Sequence, residues 1–151
     1  MTENKKKALL LEEFLPYRLS YLVNMIGLEL ARLYTDDFGI THSEWRVMAV
    51  LGHSPGVSAG YVAEKTAMDK VAVSRAINNM IKNELIKRSF AKEDRRRSML
   101  SLSNKGRQTY LKIVPLVQNY ERDLLNSLTE QERMTLNIVA DKLTHYVKEQ
   151  Y

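Results

Sequence analysis

Three consecutive arginines, Arg95, Arg96 and Arg97, lie between two short segments, Leu85–Phe90 and Ser98–Leu102, that can pair as a hairpin. Asp94 precedes them. A tip of this kind suits a narrow A·T minor groove, where negative potential concentrates. Immediately upstream, Asp69 is a good N-cap for a helix in which Val73, Ile77, Met80 and Ile81 form one apolar stripe. Its other face carries Lys70, Ser74, Arg75, Asn78, Asn79 and Lys82, with small Ala72 permitting close approach. Asn pairs bidentately with adenine and Arg with guanine, each good pair giving about 1–3 kcal/mol of discrimination. Arg75, Asn78 and Asn79 are therefore candidate base readers. Lys70 and Ser74 are candidates for phosphates, which position a helix without reporting sequence.

The charge is distributed to match. The chain has 151 residues and a formal net charge of +5, but Ser58–Arg107 holds twelve cations and five anions, a local +7, leaving −2 elsewhere. Such a localised excess is the footprint of a phosphate-binding module and points to double-stranded DNA as partner. There is no cysteine, which excludes disulfide scaffolds and thiolate metal sites. His42, His53 and His145 are dispersed, and no phosphate-cradling glycine loop or paired-carboxylate site is evident. No enzyme, metal or cofactor is expected. The run Ala8–Leu11 after Lys5-Lys6-Lys7 is cut short by Glu12 and Glu13, so neither a signal segment nor a membrane span is expected, and the location expected is cytoplasmic.

Several elements must position these residues. Leu19, Leu22, Val23, Ile26, Leu30 and Leu33 predict one long helix from Pro16 to about Asp37. Thr41-His42-Ser43-Glu44 has the form of a capping box opening a second helix, which Ser54-Pro55-Gly56 ends. A short third helix from Ser58 leads through Ala67-Met68 to the Asp69 cap. Ser103 caps a fifth helix with Pro115 inside it, where a kink is expected, and Thr129-Glu130-Gln131-Glu132 opens a sixth. The long helices at both ends carry apolar stripes that the middle of the chain does not need, and a second copy of the chain is the simplest partner for them.

Helix, turn, helix and two-stranded wing make a winged helix-turn-helix, whose second helix enters the major groove. The expected fold is mainly α with a small β-wing, the DNA-binding lobe at 41–102 being flanked by dimerisation helices at 9–38 and 103–149 of a single domain. An alternative remains: a winged-helix module that binds RNA or a protein without operator specificity. Single-stranded RNA readers usually expose stacking aromatics, and the outward face of the fourth helix has none.

From Pro16 to Val147 the chain resembles the MarR family of transcriptional regulators. The resemblance is carried by Thr41-x-x-x-Trp45, by Asp69-Lys70-x-x-Val73-Ser74-Arg75, and by Glu93-Asp94-Arg95-Arg96-Arg97-Ser98 followed by Leu102-Ser103-x-Lys105-Gly106. It implies an obligate homodimer, built from the first helix and the last two, that represses transcription from a pseudo-palindromic operator. It also implies that Asp94 orients Arg96 toward the minor groove. Two positions depart from the pattern, with Ala67 and Asn83-Glu84 standing where many relatives have glycine. Asn83 is expected to take a left-handed helix cap, and Ala67 to shift the angle between the helices slightly. The family further implies release of DNA by a small aromatic or phenolic effector, for which Tyr17, Tyr21, His42, Trp45 and Arg46 are candidate liners. Structural roles compete with that reading, Trp45 as core and His42 as a solvent-facing residue of its helix's first turn.

Overall fold

A computed structural model describes residues 8–151, so Lys5–Lys7 lie outside the described residues. After a 3₁₀ turn at Leu11–Glu13, the chain forms α1 (Leu15–Phe38), α2 (His42–His53), α3 (Ala59–Thr66) and α4 (Lys70–Lys82). The hairpin β1 (Ile86–Phe90) and β2 (Ser98–Leu102) follows, then α5 (Asn104–Leu125) and α6 (Glu130–Glu149). This is the mainly helical winged arrangement that the sequence leads one to expect.

Two compact units divide the chain, one reaching to Ile113 and the other spanning Val114–Tyr151. The boundary falls inside α5, beside Pro115, whose ring removes the N–H that would bond the Leu111 carbonyl; α5 nevertheless continues as one helix. In the first unit the core is made by Val47, Met48 and Leu51 of α2, Val62 of α3, Val73, Ile77 and Met80 of α4, and Leu100 of β2, all essentially inaccessible to water. Ala76 joins the buried stripe of α4, and Ile81 is only half-buried.

Local chemistry sets the helix starts. Thr41 Oγ1 accepts from the Glu44 amide at 3.2 Å while the Glu44 carboxylate accepts from the Thr41 amide at 2.9 Å, a complete capping box. Asp69 Oδ1 accepts from the amides of Val71 (2.8 Å) and Ala72 (3.2 Å), and Ser103 Oγ accepts from Gly106 N at 2.9 Å. Gly106 is required for a different reason: a Cβ there would lie 2.0 Å from the Leu85 carbonyl oxygen, so any side chain would force α5 away from the end of α4.

Of the two glycine departures, the one after α4 resolves differently from expectation. Ala67 ends α3 in the left-handed region (φ 51°, ψ 26°), so the turn keeps a glycine-like geometry. After α4 the left-handed residue is Glu84 (φ 60°), whereas Asn83 has φ −88°. Leu85 N donates to Met80 O at 2.8 Å and Glu84 N to Ile81 O at 3.0 Å, the paired bonds of a Schellman cap with Glu84 in the position glycine usually fills. The bond pattern, which needs the buried Leu85 beside Met80, dictates the conformation over residue preference.

The wing pairs antiparallel with Ile86 opposite Leu102 and Phe90 opposite Ser98. Val57, in the loop between α2 and α3, bridges to Leu100, its carbonyl accepting from Leu100 N at 2.7 Å, so the hairpin is anchored to the helix-turn-helix at its base. In the second unit, Arg133 Nε donates to Leu125 O at 2.8 Å and holds the turn between α5 and α6. No residue of α6 is buried. Among the described residues, no helix is long and apolar enough to cross a membrane.

Candidate nucleic-acid interface

On α4, Val73, Ala76, Ile77 and Met80 face the core. At 100° per residue the diametrically opposite line is Val71, Arg75, Asn78 and Lys82, in steps of four, three and four, covering about 16 Å of helix. All four are exposed. Lys70 and Ser74 are exposed on one flank of this line; Ala72, half-buried, and Asn79 lie on the other. The sequence-derived candidates are thus brought to one helix surface, with Val71 among them, a residue that charge and hydrogen-bonding capacity alone do not pick out.

Asn79 differs from its neighbours. Its Nδ2 donates to Glu44 Oε1 at 2.7 Å, and Glu44, only 3% exposed, uses its other oxygen for the α2 capping box. One carboxylate therefore ties the side of α4 to the first turn of α2. The bond takes one of the two Nδ2 hydrogens and ties the amide to the start of α2, leaving the second N–H and Oδ1 unbonded among the described residues. Asn78 and Arg75 carry no such tie among the described hydrogen bonds. Beside them lies an open groove of about 610 Å³ between α4 and the start of α2, lined by Thr41, Ser43, Arg75, Asn78 and Lys82 among others.

The three arginines of the wing separate. Arg96 and Arg97 border a recess with Ser58 and Tyr61 at the start of α3, while Arg95 lines another with Phe90 and Lys92. Asp94 acts on the backbone: its Oδ1 accepts from Arg96 N at 2.9 Å, and its carbonyl accepts from Arg97 N at 3.0 Å. Among the described residues the only ion pair made by an arginine or lysine is Glu29–Arg32, so the Asp94 carboxylate fixes the turn that presents Arg96 and leaves the guanidinium free.

The five candidate effector liners have different local partners. Tyr17 and Tyr21, with ring centres 6.5 Å apart, border a small recess with Glu12 and Arg18 near the start of α1. Trp45 is core, lying between Tyr34 (5.7 Å) and Tyr110 (6.0 Å). Arg46 donates to the Thr66 carbonyl at the end of α3. His42 is not turned to solvent: the Tyr34 hydroxyl lies 2.7 Å from its Nδ1, and its ring packs so closely on α1 that a Cβ at Gly27 would lie 3.3 Å from Nε2. Burial pushes the Tyr34 phenol up to about 12, so it stays protonated and can donate to His42. Burial, and then the nearby Arg46 charge, hold His42 below its ordinary value and favour the neutral ring that accepts. Among the described residues, no group of three or more His, Asp or Glu side chains could hold a metal ion.

Comparison with known proteins agrees with this architecture. The MarR family model matches residues 38–97, from the end of α1 through the wing arginines. The HTH-type transcriptional regulator PapX of Escherichia coli is 27% identical over 144 residues, 93% of this chain and 87% of that protein. BilQ of Clostridium symbiosum, also an HTH-type transcriptional regulator, is 28% identical over 62% of this chain and 65% of its own length. The chain thus spans just under two thirds of the length of some curated relatives it matches. The crystal structure of a MarR/EmrR family transcriptional regulator from Acinetobacter sp. ADP1 superposes with a TM-score of 0.86 at 26% identity, covering 93% of this chain and 99% of that one. The chain is thus similar, over residues 38–97 in sequence and over most of its length in fold, to the MarR family of winged helix-turn-helix transcriptional regulators.

Proposed function

We propose that this protein is a homodimeric repressor that binds a pseudo-palindromic operator in duplex DNA through α4 and the wing. The outward line of Arg75, Asn78 and Lys82 carries the reading, because it stands opposite a sealed apolar face on a helix fixed at both ends. Arg75 and Asn78 then read base edges, Lys70, Ser74 and Lys82 hold phosphates, and Asn79 sets the position of α4 through Glu44. Arg96 is the minor-groove residue of the wing, with Arg95 and Arg97 on the adjoining backbone.

The dimer is the second part of the proposal. Leu19, Leu22 and Val23 of α1, and Leu136, Val139, Leu143 and Val147 of α6, are exposed large apolar side chains at helical spacing. Regular apolar stripes of this size mark association surfaces, and two copies would place two reading helices on half-sites about one helical turn of DNA apart. The lobe at 41–102 and the helices at 9–38 and 103–149 are the corresponding functional divisions. A small aromatic effector completes the reading. Its first contact is Tyr17 and Tyr21 of the candidate set, which are open to solvent and share a recess with Arg18.

Selection from a random duplex pool tests this reading. An enriched inverted repeat is the expected result, and Arg96→Ala should then flatten the slope of log affinity against log salt by roughly one unit or less. Equal affinity for every sequence would reduce the interaction to charge and overturn the operator assignment.

A further inference from the structure

We infer that Val71 is a specificity-determining residue that reads the 5-methyl group of a thymine. The inference rests on the operator reading above and adds a base identity to it. Val71 is 57% exposed and is the one large apolar side chain exposed on α4. It heads the outward line shared with Arg75, Asn78 and Lys82, and it lies in the first turn, where recognition helices meet base edges. A valine offers neither donor nor acceptor. Of the groups presented in the major groove, only the thymine methyl is apolar, so it is the one feature this side chain can recognise.

The fold gives Val71 no other use. Its amide is held by Asp69 Oδ1 at 2.8 Å, which any residue could supply, and its side chain is outside the core. A β-branched residue is also a weaker helix former than alanine at an exposed position. That same branching holds χ1 in one rotamer, so a methyl-to-methyl contact forms with little ordering of the side chain. The single valine is too small for a protein-docking patch, whereas it matches one methyl group in size.

The test uses the tightest duplex recovered by selection, with each thymine replaced in turn by deoxyuridine at both symmetric positions. The wild-type protein should lose about fifteenfold in affinity at one position, from roughly fourfold per methyl withdrawn from water in each half-site. Val71→Ala should bind the methyl and demethylated duplexes within about twofold at that position, and respond like wild type at the others. The variant should keep its fold, because alanine favours the helix, and an unchanged melting profile checks this. A wild-type protein insensitive to every thymine methyl, or a Val71→Ala protein with the wild-type pattern, overturns the inference while the recovered palindrome still supports the operator reading. A selection that yields no palindrome overturns both.

Discussion

Helices α4 and α6 obey the same sequence rule and reach opposite outcomes. Each is amphipathic, with apolar residues at three- and four-residue steps and a side-chain cap at its start, from Asp69 in one and Thr129 in the other. In α4 the stripe of Val73, Ala76, Ile77 and Met80 is buried by its own chain, which frees the opposite line for another molecule. In α6 nothing is buried, and Leu136, Val139, Leu143, Tyr146 and Val147 are exposed. Apolar periodicity specifies that a face must be covered; it does not specify by what. The difference identifies α4 as a helix whose polar side is available for recognition and α6 as one whose apolar side awaits a partner, in our reading a second copy.

The comparison breaks most visibly if both stripes are attacked. Leu143→Asp should convert a dimer to a monomer in sedimentation and lower affinity for a full palindrome by roughly 10²-fold or more, because the second half-site contact is no longer tethered. A variant that stays dimeric would remove α6 from the assembly. Ile77→Ala should instead cost about 2–5 kcal/mol of unfolding free energy by opening a cavity. Unlike any loss caused by α6 substitutions, that cost should not shrink as protein concentration rises. Denaturant titrations at two concentrations separate the cases.

A smaller effect tests what α4 does at its edge. Asn79→Ala should leave Glu44 Oε1 without its donor and destabilise by roughly 1–3 kcal/mol, toward the low end because water can reach the site. DNA binding should weaken by a similar factor for operator and altered sequences alike, as a positioning role requires. A change of base preference at one operator position would instead make Asn79 a reader. The smallest effect concerns the turn before α4. Ala67→Gly should raise stability by about 1 kcal/mol, since glycine adopts φ near +51° without the Cβ penalty. A lower melting temperature would refute that account of the turn.

Most local structure was legible in the residues. The Thr41 and Thr129 capping boxes, the Asp69 cap and the hairpin segments follow from neighbours within a few positions, where short-range hydrogen bonding and periodicity decide the outcome. The basic character of Ser58–Arg107 was equally plain, and so was the grouping of candidate residues on α4. Three features were not. Asn79 bonds to a residue 35 positions away, and nothing local distinguishes it from Asn78. Asp94 was expected to orient Arg96, and its carboxylate holds the Arg96 backbone amide, a route the residue types do not specify. His42, read as an effector liner or else as solvent-facing, is engaged by Tyr34 of α1, where Gly27 lets the ring approach.

The sequence by itself determined the helices, their caps, the wing and the sign of the charge they carry, because each depends on interactions between residues close in the chain. Only the tertiary structure decided which polar side chains remain free. Glu44, Asn79, His42 and Arg46 are drawn into bonds between elements, whereas Arg75, Asn78 and Arg96 have none of their side-chain groups so engaged among the described residues. A buried polar group must find a partner when water is excluded, and which partner is within reach is set by how the helices pack.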